Sequence, residues 1–168
     1  MLTTSSLDDL DLKLLDALQA NARSTYAELA ALVGLTAPSV HERVKRLESR
    51  GFVRKYAAQL NARLLGLELA ALVSCFTSPE TDYDRFTADV SRFGEVCEVH
   101  SVAGDETYIL KVVTASTAHL DDFLGRLKKV PGIVRTKTTI VLSTPFERGG
   151  IALRRDDGRP APKLHSVR

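Results

Sequence analysis

Between positions 39 and 55 the chain reads SVHERVKRLESRGFVRK. Ser39, His41, Glu42 and Lys45 are side-chain types that bond to base edges. A hydroxyl suits several bases, a carboxylate accepts from a cytosine amino group, and histidine or lysine donates to guanine. Arg43, Arg46, Arg50, Arg54 and Lys55 are types that neutralise phosphates, which set position without reading sequence. The nine together predict contact with double-stranded DNA. Glu42 and Arg46 also stand at i, i+4, the spacing of an ordinary surface ion pair on a helix.

Reaction chemistry is not written into the chain in any comparable way. It has no Gly-rich phosphate loop, no HExxH and no GxSxG. His41, His100, His119 and His165 fall in separate expected elements, with no nucleophile or carboxylate partner in a motif. Cys75 and Cys97 make no zinc pattern. The reading is therefore no catalytic residue, no metal and no cofactor. Cys97 lies in an apolar strand, where a thiol is usually inert.

The basic residues need a helix presented at the right angle, and the stretch 26–51, YAELAALVGLTAPSVHERVKRLESRG, supplies one. Thr25 with Glu28 is a capping box opening a helix that runs to Val33, and Gly34 can close it in the left-handed conformation. Thr36 caps the next helix, Pro38 falls in its first turn, and Gly51 ends it. Val40, Val44 and Leu47 recur at i, i+4 and i+7, so they mark its buried face. Ahead of both, Leu7, Leu10, Leu14, Leu15 and Leu18 form one stripe of a helix over about 9–20, capped by Asp8 or Asp9. Two short helices around a glycine turn make a helix-turn-helix, whose second helix lies in the DNA major groove. Residues 52–60, FVRKYAAQL, read as a strand packed beside the helices as a wing.

Composition agrees with this reading. Of 168 residues, 44% are hydrophobic and 26% charged, ordinary for a globular protein. The net charge of +2 is unevenly placed: residues 1–35 carry −3, 36–60 carry +4, 61–150 carry −2 and 151–168 carry +3. Positive charge thus gathers on the proposed reading helix, the segment after it and the tail, the footprint of nucleic-acid contact. No apolar run reaches the ~20 residues that span a bilayer. The N-terminus lacks a signal-peptide pattern. The expectation is a cytoplasmic protein with free thiols and no membrane partner.

Past a linker at 61–66, the pattern changes. Residues 67–78 are an apolar strand, and Tyr83, Phe86, Val90 and Phe93 mark a helix. Residues 96–103 and 107–113 read as strands about a Gly104-Asp105 turn. Leu120, Phe123, Leu124 and Leu127 mark a second helix, and 133–142 a last strand. The order βαββαβ predicts one antiparallel sheet with two helices on one face, the ferredoxin-like arrangement. The open face needs a cover, and a second copy is the economical one. The expected class is α+β: a winged helix-turn-helix over 1–60, a ferredoxin-like domain over 67–146, and a basic, disordered and solvated tail over 147–168.

Four stretches in this order, LDDLDLKLLDALQANAR, YAELAALVGLTAPSVHERVKRLESRGFVRKYAAQLN, SVAGDETYILKV and GIVRTKTTIVL, resemble the Lrp/AsnC, or feast/famine, regulators over about residues 7–145. The resemblance implies a transcriptional regulator that dimerises through its C-terminal domains and assembles further into tetramers or octamers. It implies a small-molecule effector, an amino acid or similar metabolite, at the interface between those domains. It places that site on the turn joining the second and third strands, here Ala103, Gly104, Asp105, Glu106, Thr107 and Tyr108. Turn amides hold a carboxylate, and Asp105 or Glu106 suits an ammonium. Ser101, Thr136 and Thr138, on strand ends, are further candidates, and Gly-Asp is also plain turn chemistry. Where many relatives carry an acid before the tyrosine, this chain has Thr107, so no effector is named. Two other classes stay open on the residues alone. One is an assembly protein that senses a small molecule and docks another protein through its N-terminal helices. The other is an enzyme using the sheet face, for which no residue set is visible.

Overall fold

The computed structural model describes residues 7–153. The described residues divide into two compact units, 7–59 with 147–153, and 60–146.

The first unit is built on three helices, α1 (Asp9–Ala20), α2 (Tyr26–Val33) and α3 (Ala37–Ser49). Each starts where a side chain satisfies an amide that has no partner within the helix. The Asp11 N–H donates to Asp8 Oδ1 at 2.7 Å, capping α1. At α2 the capping box is complete: the Glu28 N–H donates to Thr25 Oγ1 at 3.2 Å and the Thr25 N–H to Glu28 Oε2 at 2.7 Å. Gly34 closes α2 at φ 71°, a conformation costly for a residue with a Cβ. Thr36 caps α3, with proline in the first turn. Leu14, Leu15, Leu18, Leu29, Val40, Val44 and Leu47 make the core, with Leu7, Leu32 and Val33 at its margin.

Two segments of this unit differ from expectation. Residues 52–60 pair with no strand among the described residues, so the wing is not formed. A strand needs a neighbouring ladder, and three helices offer none. Val53 packs on the helical core instead, and the Tyr56 hydroxyl donates to Glu48 Oε1 at 2.7 Å. Burial and the Glu48 carboxylate push that phenol up to about 12. At the other end, the beginning of the expected solvated tail is held. Gln19 Nε2 donates to the Ile151 carbonyl at 3.3 Å, the Ile151 N–H donates to Gln19 Oε1 at 2.7 Å, and Leu153 packs against the helical core. The remainder of the tail, 154–168, lies outside the described residues.

The second unit begins at a 3₁₀ turn, Arg63–Leu65, in the expected linker. It continues as β1 (Leu69–Thr77), α4 (Tyr83–Val90), β2 (Val96–Ser101), β3 (Tyr108–Thr114), α5 (Thr117–Leu127) and β4 (Ile133–Val141). The strand order is β2-β3-β1-β4, with every neighbouring pair antiparallel. Each helix connects two strands that are not neighbours, which is the ferredoxin-like crossover.

Alternation along the strands sets the two faces. Ala71, Val73 and Cys75 of β1 and Tyr108, Leu110 and Val112 of β3 are buried, packed with Phe86, Val90, Phe123 and Leu127 of the helices. Their neighbours Ala70, Leu72, Ser74, Phe76, Ile109, Lys111 and Val113 line the opposite, open face. Leu72 is 40% exposed there. Tyr83, expected on the apolar stripe of α4, is also exposed: it stands at the first position of the helix and only edges the Tyr108 ring at 6.1 Å.

Val40, Val44 and Leu47 are 0, 1 and 0% exposed. Truncating one opens a cavity in a small core, where such losses cost roughly 2–5 kcal/mol. Leu47→Ala is expected to lower the stability of the helical unit by that amount in urea titration followed by circular dichroism.

Candidate nucleic-acid interface and effector turn

The burial of Val40, Val44 and Leu47 fixes how α3 is rotated. Residues on the far side of the helix, Glu42, Lys45 and Ser49, are exposed, with Ser39, His41 and Arg46 flanking them. Ser39 Oγ shares a 2.9 Å hydrogen bond with Thr36 Oγ1 at the start of the helix. The His41 ring packs edge-on against Tyr26 at 4.9 Å, and its Nδ1 lies 3.7 Å from Glu42 Oε1. At the far end, the Arg50 guanidinium stacks over Phe52 at 4.8 Å. Arg54 and Lys55 are exposed on the extended segment. Ser39, His41, Glu42 and Lys45 therefore share the solvent side of the first three turns.

Two arginines assigned to phosphates have protein partners. Arg43 Nη1 donates to Asp8 Oδ2 at 2.6 Å and to Asp11 Oδ1 at 2.8 Å. Arg46 Nη2 donates to Asp11 Oδ1 at 3.3 Å. The Asp11 side chain is 4% exposed, that of Arg43 24% and that of Arg46 50%. The bonds to Asp8 and Asp11 raise the Arg43 pKa against the cost of burial. Burial works against the charged form of Asp8 as well. The Asp11 N–H and the Arg43 guanidinium outweigh it and hold that carboxyl below its usual range. The i, i+4 pairing of Glu42 with Arg46 is not made: Glu42 turns to His41, and Arg46 to Asp11.

The acid was missed in the sequence, although a signal for it exists. Asp11 stands four residues after Leu7, four before Leu15 and seven before Leu18, inside the apolar stripe of α1. A carboxylate at a core position of a helix calls for a cation, because an unpaired buried charge is costly.

The turn residues of the second unit are not brought together as a set. Gly104 and Asp105 are exposed. Glu106 Oε1 accepts from Ser74 Oγ at 3.2 Å, at the open face. The Thr107 hydroxyl accepts from the Thr77 N–H at 3.3 Å and from the Thr77 hydroxyl at 3.0 Å, and its N–H donates to the Cys75 carbonyl. Tyr108 is 4% exposed and stacks on Phe86 at 4.4 Å, within the core on the helix side. Its place is set by strand alternation, which sends position 108 to the helix side. Ser101, Thr136 and Thr138 lie opposite Tyr108, Cys75 and Val73, so they too sit on the helix side. Glu106 meets Ser74 on the other. A concavity of about 220 Å³ in this unit lies elsewhere, beside Ser78, Thr81, Arg85 and Gly132.

The Lrp/AsnC ligand binding domain matches residues 70–151, and the AsnC-type helix-turn-helix domain matches 7–48. The HTH-type transcriptional regulator LrpA of Mycobacterium tuberculosis is 40% identical over 139 residues, covering 83% of this chain and 92% of that one. The chain belongs to the Lrp/AsnC family. The leucine-responsive regulatory protein of Haemophilus influenzae is 36% identical over 141 residues, covering 82% and 84%. Among solved structures, a feast or famine regulatory protein from M. tuberculosis complexed with L-methionine superposes with a TM-score of 0.79 at 39% identity. It covers 84% of this chain and 96% of that one. This Lrp/AsnC protein is thus a DNA-binding transcriptional regulator and not an enzyme, and α3 is the second helix of its helix-turn-helix. No helix among the described residues is long and apolar enough to cross a membrane.

The two thiols of this Lrp/AsnC chain differ sharply. Burial pushes Cys75 up to about 12, whereas Cys97 is exposed on β2. The thiolate is the reactive form. At pH 8 the native protein should release one equivalent of chromophore with a disulfide thiol reagent, from Cys97. Unfolding in guanidinium should release the second.

Proposed function

We propose that α3 reads duplex DNA through Ser39, His41, Glu42 and Lys45, and that Arg46, Arg50, Arg54 and Lys55 hold the phosphates. The observation that carries this reading is the rotation of α3. With Val40, Val44 and Leu47 buried, the polar side of the first turns is the side left for a groove. Arg43, first grouped with the phosphate contacts, is better placed as a strut between α3 and α1, because both of its carboxylate partners are in the protein. The cytoplasm is the working compartment.

The C-terminal unit pairs subunits and senses a small metabolite. The apolar side chains of the open face, Leu72, Phe76, Ile109 and Val113, support covering by a second copy. Further assembly into tetramers or octamers follows the family. Two structural neighbours are complexes with L-methionine, one of them from Neisseria meningitidis, and they support an amino acid as the effector class. Within one subunit, Ser101, Ala103, Gly104 and Asp105 are exposed and Glu106 and Thr107 half-buried, and these are the groups around the turn that a ligand can reach. Thr107 and Tyr108 shape that turn from beneath. A site assembled from such a turn is incomplete in a single subunit, which suits an effector that acts on the association of copies. Its effect requires different affinities for two assembly states.

Lys45→Ala should weaken retardation of a duplex selected from a random library, and the same variant should keep the wild-type melting temperature. Unchanged DNA affinity would remove α3 as the reading element. For the second unit, at least one of the twenty amino acids should raise the melting temperature at millimolar concentration, and Gly104→Trp should abolish that rise. A flat panel would leave this unit as an assembly module.

A further inference from the structure

Asp11 is among the few buried polar side chains, and it touches two cations of the reading helix from behind. Three observations bear on its purpose. It occupies a position of the α1 stripe that an apolar residue would fill without any need for a partner. Together with Asp8, it brackets Arg43, whose side chain is 24% exposed. And it meets Arg46 through a single terminal nitrogen, leaving that side chain half-exposed. The charge on α3 is thereby divided. One arginine is neutralised on the protein side, and the other is tethered at one end and open at the other.

We propose that Asp11 is a positioning residue that limits the non-specific attraction of α3 for DNA. This proposal rests on α3 being the reading helix. By holding Arg43 against α1, Asp11 removes one mobile cation from the phosphate-contacting set. By holding one nitrogen of Arg46, it orients the rest of that guanidinium for a phosphate at a defined position. Non-specific affinity grows with the number of phosphates neutralised, whereas base contacts carry discrimination. Withdrawing a cation therefore raises the share of binding that depends on sequence.

Asp11→Asn, nearly isosteric and still able to accept a hydrogen bond, takes the carboxylate away from Arg46 and removes the buried one of the two that hold Arg43, leaving Arg43 to the half-exposed Asp8 alone. Affinity is measured by anisotropy over a series of salt concentrations, for a duplex enriched by the wild-type protein from a random library and for poly(dI-dC). In Asp11→Asn the slope of log affinity against log salt on poly(dI-dC) should steepen by about 0.9, the value for one added phosphate contact. The preference for the enriched duplex should fall. Arg43→Gln should leave the wild-type slope unchanged, and Asp11→Asn combined with Arg43→Gln should return the slope to the wild-type value. A merely structural role for Asp11 predicts a lower melting temperature with slope and preference unmoved, and that result overturns the proposal. If Asp11→Asn does not fold, Arg43→Gln decides alone: a slope reduced by about 0.9 means that Arg43 reaches phosphate in the wild type, which also overturns it. Failure of the reading-helix assignment is separable, because Lys45→Ala would then bind both duplexes like wild type.

Discussion

The rotation of one helix about its own axis controls what this regulator can do. A helix offers any groove only the side that its own core does not claim. On α3 that claim is made by Val40, Val44 and Leu47, packed against Leu14, Leu18 and Leu29. One step of rotation, about 100°, would bury Lys45 and expose Val44. The closed caps at Thr25, Gly34 and Thr36 serve the same constraint, since they fix where α2 ends and α3 begins. Asp8 and Asp11 add a polar clamp on one flank of α3, so its orientation rests on ion pairs as well as on apolar packing.

The second unit obeys a different constraint. A four-stranded sheet with both helices on one face has a second face to cover. Here that face mixes apolar side chains with a charged cluster, in which Lys111 and His100 both meet Glu98 at 2.9 Å. The Lys111 contact, helped by His100, holds the Glu98 carboxyl below its usual range despite partial burial. The helix side is by contrast wholly apolar at its centre, and the ring stack of Tyr108 on Phe86 belongs to it. The turn between β2 and β3 lies between these two environments. Its exposed members are few, and they depend on Thr77, Ser74 and Cys75 of β1 for their shape.

Much of this is legible in the sequence. The caps, the three helices, the buried face of α3 and the βαββαβ order follow from local chemistry and from apolar periodicity, which are properties of neighbouring residues. The wing at 52–60 was misread because a strand-like composition says nothing about whether a partner strand exists. The resemblance includes Tyr108 with the turn between β2 and β3, whereas its side chain is buried against Phe86. The period of two in β3 puts it on the opposite side. The first residues of the tail were read as solvated because a Gly- and charge-rich segment has no internal periodicity, while the contact that holds Ile151 comes from Gln19, 132 positions away.

The sequence by itself determined the class of molecule: a helix-turn-helix with a polarised basic helix, joined to a ferredoxin-like domain, in the order of the Lrp/AsnC regulators. Only the tertiary structure decided which cations on that helix are available. Six bases between positions 36 and 60 look alike as text. Whether an arginine faces a phosphate or a carboxylate depends on what another helix, some thirty residues earlier, places within 3 Å of it. Coulombic pairing acts over distance in space and ignores distance along the chain, so Arg43 and Lys45 could be told apart only once α1 and α3 were seen packed together.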